Sequence, residues 1–231
     1  MQTRFFKLFA ITLLISFVSC KKETSLEYKY ADSPKVLACD FPKGQLYNEA
    51  VYSFEKDIVN LYDKKGQSVP RAYSQFVTNV LNGRLKIEDL ASEHSFNIAK
   101  ALKEDKAIWN GNGKDVTLNY SAPFTDCIAN NIKMSGFKTT FNSLLATNSM
   151  RPLLILTPLS SSARQLQGDG SLKTFVAFEY YYAKLMNMDS TLLKKQAEPA
   201  QDGKVDFNNT PKKTSTLQPA EKKDDHAGHN H

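Results

Sequence analysis

Apolar residues recur at helical spacing through the middle of the chain and thin out toward its C-terminus. In "QLYNEAVYSFEKDIVNLYDK" (45–64), Tyr47, Ala50, Val51, Phe54, Ile58, Leu61 and Tyr62 fall on one face. That 3.6-residue period predicts an amphipathic helix, closed at Gly66. Ser68-Val69-Pro70 has the form of a cap with proline in the first turn, and Tyr73, Phe76, Val77, Val80 and Leu81 carry the pattern on to Asn82-Gly83. A third helix is predicted over about 87–106, with Ile87, Leu90, Ala91, Ile98, Ala101 and Leu102 inward. "NGNGKD" (110–115) marks a turn, and "VTLNY" (116–120) reads as a short strand or an extended connection. Ser121-Ala122-Pro123 opens a helix bearing Phe124, Cys127, Ile128 and Ile132; Phe137, Phe141, Leu144 and Leu145 follow Gly136 in a short one. The stretch after Arg151 is ambiguous: Leu153–Leu156 suits an extended segment, with Thr157-Pro158 capping a helix to about Gln167. The last helix covers about 171–187 and carries Leu172, Phe175, Val176, Phe178, Tyr182, Ala183 and Met186.

The pattern implies an all-α domain over 36–188, an irregular bundle of six to seven helices with one short extended segment near 116–120. A chain of that size buries a core without help from a cofactor. Residues 20–35 are polar and aperiodic and are expected to form a flexible tether. From 189 to 231 large apolar residues give way to Lys, Asp, Gln, Asn and Pro, the composition of a disordered tail.

The start of the chain obeys a different rule. Arg4 and Lys7 precede an uncharged run from Leu8 to Val18, and no acidic residue occurs before Glu23. A basic start, a short apolar run and a small residue at Ser19 read as a secretory signal over 1–19. The run is too short for a membrane-spanning helix, which needs about 20 residues. Phe17-Val18-Ser19-Cys20 resembles the lipobox of bacterial lipoproteins, with Phe17 where that motif usually has Leu. The resemblance covers residues 1–22 alone. It implies cleavage before Cys20, a diacylglycerol on its sulfur and an acylated new amino terminus. The expected partner is therefore a bilayer of the cell envelope, reached through the acylated cysteine, with an envelope protein as a further partner. Several acyl chains on one residue, at about 0.8 kcal/mol per buried CH₂, anchor a protein without a span.

Loss of Met1–Ser19 leaves 28 basic against 24 acidic residues, a net charge of +4. The charges are interleaved, without an Arg cluster or an aromatic-basic stripe, so nucleic acid is not an expected partner. With Cys20 lipidated, Cys39 and Cys127 are left as a pair in an oxidising compartment, and a disulfide between them would staple "KVLACDFPKG" to the domain.

No catalytic residue is assigned from the sequence, and no cofactor is required. Candidate chemistry lies in three places. The chain ends "DDHAGHNH", where Asp224, Asp225, His226, His229 and His231 are suitable ligands for Zn, Cu or Ni. His94, the one histidine in the domain, falls in the apolar stripe Ile87, Leu90, Ala91, Ile98; it is more readily a hydrogen-bonded core residue than a site. Tyr180, Tyr181 and Tyr182 stand consecutively on the last helix, so at least one is expected at the surface. Tyr180 and Tyr181 are thus candidate ligand-facing residues with His94. Glu-x-x-His, G-x-S-x-G and P-loop spacings are absent. A membrane-tethered binding module is the expectation; an envelope enzyme built on His94 and nearby carboxylates is the alternative.

Overall fold

A computed structural model describes residues 26–111 and 115–188. The fold is all-α, with one two-stranded ribbon. Helix α1 (Gly44–Tyr62) leads to α2 (Val69–Leu81), α3 (Ile87–Leu90) and α4 (Glu93–Lys103). Strands β1 (Trp109–Asn110) and β2 (Thr117–Leu118) pair antiparallel, Trp109 opposite Leu118. Then come α5 (Pro123–Asn131), α6 (Ser135–Ala146), α7 (Pro152–Ser162), a 3₁₀ segment (Ala163–Gly168) and α8 (Gly170–Val176). The chain passes from α8 through π-helical turns (Ala177–Tyr182) into α9 (Ala183–Met186).

The helix predicted over 87–106 is two helices. Ala91 and Ser92 are extended between them, and the Ser92 hydroxyl accepts the Ser95 N–H at 3.2 Å, so a serine cap restarts the chain as α4. The ambiguous stretch resolves as helix: α7 begins at Pro152 and runs through Pro158. Ser68 does not cap α2 with its hydroxyl; Asp63 Oδ2 takes the Ser68 N–H at 3.0 Å instead. Leu61, expected inward, is an exposed residue near the end of α1.

The last helix is central. Every residue from Ser171 to Ala183 is buried, because α1, α4, α5, the 3₁₀ segment and the ribbon pack around it. Phe178 sits at the middle of an aromatic cluster with Tyr47, Trp109 and Phe124, and Phe54 joins Tyr73, Phe76 and Tyr181 in a second one. A helix enclosed on all sides has no solvent stripe. That overturns the expected exposure of a tyrosine at 180–182, since all three are buried.

The polar segment before the domain is not loose where it is described. Residues 26–41 form a strap across α1. Glu49 accepts the backbone N–H of Lys29 at 2.7 Å and of Tyr30 at 2.8 Å. Asn48 Oδ1 accepts the Val36 N–H, the Tyr52 hydroxyl donates to the Pro34 carbonyl, and the Tyr30 and Tyr52 rings stack. The strap passes so close to α8 that a Cβ on Gly170 would lie 2.2 Å from the Val36 carbonyl oxygen. The residues expected to tether thus lie on the domain from Leu26 onward, and glycine at 170 is what makes room for them.

A disulfide joins Cys39 to Cys127, with Cα atoms 6.2 Å apart, and fastens the strap's end to α5. It closes a loop of 88 residues, for which loop-closure entropy gives about 4–5 kcal/mol. Cys39→Ser/Cys127→Ser is therefore expected to unfold at lower denaturant, by roughly that free energy, in urea titrations followed by circular dichroism. A loss well under 1 kcal/mol would mean that the strap is held by its hydrogen bonds alone.

Candidate functional site

Helix α1 carries Glu49, Ser53 and Asp57 at four-residue steps, so all three face α4 and the last helix in one line. His94 Nε2 lies 2.6 Å from Glu49 Oε1, the second partner of a carboxylate already bonded to the strap. Ser53 Oγ and Ser95 Oγ are 2.6 Å apart, and Ser95 donates to Asp57 Oδ2 at 2.6 Å. The Tyr181 hydroxyl donates to the same oxygen at 2.6 Å and the Ser92 N–H at 3.2 Å. Burial pushes the Asp57 carboxyl pKa up; the hydrogen bonds from Ser95, Tyr181 and Ser92 pull it back. The Tyr182 hydroxyl donates to the Ala50 carbonyl at 2.8 Å, and that of Tyr180 to the Pro152 carbonyl at 2.5 Å.

This seam is polar, buried and satisfied. Ser95 is fully enclosed, so neither serine is open to a substrate, and the Lys29–Tyr30 strap closes the side where His94 and Glu49 meet. Of the three residues read as ligand-facing, His94 is bonded to Glu49, Tyr181 belongs to the seam, and Tyr180 reaches the start of α7. No spacing search finds the carboxylate partner of His94, because Glu49 comes from another helix 45 positions away. Among the described residues no group of three or more His, Cys, Asp or Glu is placed to hold a metal ion. Asp224, Asp225, His226, His229 and His231, the expected metal ligands, lie outside the described residues, as does Cys20.

A buried ion pair, missed in the sequence, flanks the seam. Lys173 Nζ is 3.1 Å from Glu55 Oε1, which also accepts the Tyr73 hydroxyl at 3.0 Å, and the ammonium stands over the Tyr52 ring. Lys173 comes from the middle of the enclosed helix, where nothing local signals a cation. Removing one partner strands the other charge, at a cost of about 3–5 kcal/mol. Lys173→Met is expected to lose stability in that range, and adding Glu55→Gln to it should restore most of the loss. A double variant as unstable as the single one would show that packing, not charge, sets the cost.

A further candidate is a cavity of about 260 Å³ beside the π-helical turns. Val80, Val116, Pro152, Leu153, Leu156, Tyr180 and Ala183 make it largely apolar, and Glu179, Lys184, Thr117 and Asn187 complete it. Glu179 is buried, and among the described residues its Oε2 has no hydrogen-bond partner; nor has the hydroxyl of Tyr120. The phenol stands near enough to favour the ionised carboxyl, without completing a bond to it. Burial nonetheless dominates and raises the Glu179 pKa from 4.5 to about 7, against the opposing pull of Tyr120, the Leu118 N–H and the Lys184 charge. Burial and then the Glu179 charge push the Tyr120 hydroxyl upward too.

Comparison with protein-family models, with curated proteins and with solved structures finds no match to this chain.

The acid makes a pH prediction. Folded Glu179 keeps its proton to a higher pH than an unfolded chain does, so its stabilising contribution is complete below about 4.5 and disappears as pH rises through about 7. At about 1.4 kcal/mol per pH unit between those values, roughly 3 kcal/mol is at stake. Glu179→Gln is expected to be more stable than the parent at pH 8, by up to that amount, and close to it at pH 5. Urea unfolding at both pH values checks this, and an equal difference at the two would show that Glu179 is not the titrating group.

Proposed function

We propose that the protein is a lipoprotein of the cell envelope, a helical binding module held to a bilayer through an acylated Cys20. The observation that carries this reading is the Phe17-Val18-Ser19-Cys20 segment after a basic start and an apolar run. Two features of the domain support it. The other two cysteines are joined, as suits a chain that matures in an oxidising compartment. The strap leaves only residues 21–25 between Cys20 and the first described residue of the domain, a reach of about 20 Å at full extension. Such a module works close to the lipid surface.

The binding class is preferred to the enzyme class because His94 is spent. Its ring is bonded to Glu49, and a reaction there would require Lys29 and Tyr30 to leave that carboxylate. Leu153 and Leu154, 64% and 48% exposed, offer an apolar surface beside the cavity.

Replacing Cys20 by Ser is expected to move the full-length protein from the membrane fraction to the soluble envelope fraction, with loss of metabolically incorporated palmitate. Undiminished membrane residence of Cys20→Ser would remove the anchor from the account.

A further inference from the structure

We infer that the cavity beside the π-helical turns is a binding site for a small primary ammonium ion carrying an apolar body, with the Glu179 carboxylate as its counter-charge. This deepens the reading as a binding module and is independent of the anchor. Three observations converge on it. A carboxyl oxygen is buried and has no partner among the described residues, although buried polar atoms are nearly always satisfied; one left bare costs about 1–3 kcal/mol. Glu179 lines a concave space whose walls are Val80, Val116, Leu153, Leu156 and the Tyr180 ring, so an apolar body has somewhere to lie. The backbone holding Glu179 is π-helical, a conformation that concentrates at functional sites, and it turns residue 179 toward the cavity while Tyr181 and Tyr182 face α1.

The chemistry of the cavity selects the ligand. A carboxylate among aliphatic walls favours a cation with hydrogen-bond donors over a neutral molecule and repels a second carboxylate. Tyr120 stands behind Glu179, outside the cavity wall, and favours the ionised carboxyl. At about 260 Å³ the space lies just below the usual range of small-molecule pockets, so the ligand is a small one. The charged and titratable groups acting on Glu179 are Tyr120, at the exit of the ribbon, and Lys184, on the exposed side of α9; Tyr180 neighbours it on its own turn. Lys184 opposes the incoming cation and sets an upper limit on affinity. Binding to the ionised carboxyl draws the protonated fraction of Glu179 into ionisation, and that proton goes to the buffer; no covalent bond changes.

The test is calorimetric titration of the purified full-length mature protein with benzylamine and with benzyl alcohol, its uncharged counterpart, at pH 6 and pH 8. Benzylamine is expected to bind at least tenfold more tightly than benzyl alcohol at pH 8, and several-fold more weakly at pH 6 than at pH 8. Glu179→Gln should abolish that preference while keeping the circular dichroism of the parent. Leu156→Trp, which fills the space and spares the acid, should weaken both ligands together. Equal binding of amine and alcohol, a preference that survives Glu179→Gln, or no benzylamine heat at either pH would overturn the proposal. The last outcome would leave Glu179 and Tyr120 joined by a structural water only. None of these results bears on membrane residence, so failure of the site and failure of the anchor are separately visible.

Discussion

One carboxylate oxygen ties three parts of this fold together. Asp57 Oδ2, on α1, accepts the Tyr181 hydroxyl from the last helix and the Ser95 hydroxyl and Ser92 N–H from the start of α4. Two helices enclosed by neighbours bring their polar groups into a dry interior, and each such group then needs a partner that only one register supplies. A shift of α1 against the last helix by a single turn would leave the Tyr181 hydroxyl bare and Asp57 one donor short. Apolar packing drives the collapse of the bundle, and this seam selects the arrangement in which it settles.

The strap follows from the same requirement. Glu49 is buried one turn before Ser53, and His94 alone does not satisfy both its oxygens; the N–H groups of Lys29 and Tyr30 complete the set. A segment with no apolar period is thus ordered by a carboxylate and by Asn48, and then made fast at Cys39. Where the seam is saturated, the cavity wall is not. Glu179 sits one position past Phe178 in the same helix, and among the described residues its Oε2 finds no hydrogen-bond partner.

Much of the architecture was legible in the chain. The helical periods at 45–64, 69–81 and 123–132 mark real helices, since an amphipathic element on the edge of a bundle displays its buried face in the sequence. Elements buried on all sides do not. In "SLKTFVAFEYYYAKLM" the polar residues interrupt the apolar run, and nothing in it distinguishes Lys173, paired inside with Glu55, from Lys184, which is exposed. For the same reason three adjacent tyrosines suggested a surface and proved to be interior, each hydroxyl aimed at a different acceptor. The strap was hidden because hydrogen bonds from its backbone, which carry no residue signature, hold it down. Of the candidate site, Tyr180 was singled out and Glu179 was not: an acid next to aromatics on a helix reads as solvent-facing until the helix around it is known to be enclosed.

The π-helical turns at 177–182 fix the angular phase of everything after them. Each residue of an ordinary helix advances the side chains by about 100°, so excising Ala183, just past the π turns, would carry Lys184 into the interior and Leu185 to its exposed place. Insertions and deletions are tolerated in most helices near their ends. In this one, the ribbon that Asn187 holds through Val116 would lose its hold. The number of residues from Tyr182 to Asn187 is therefore fixed by the ribbon at one end and the enclosed helix at the other.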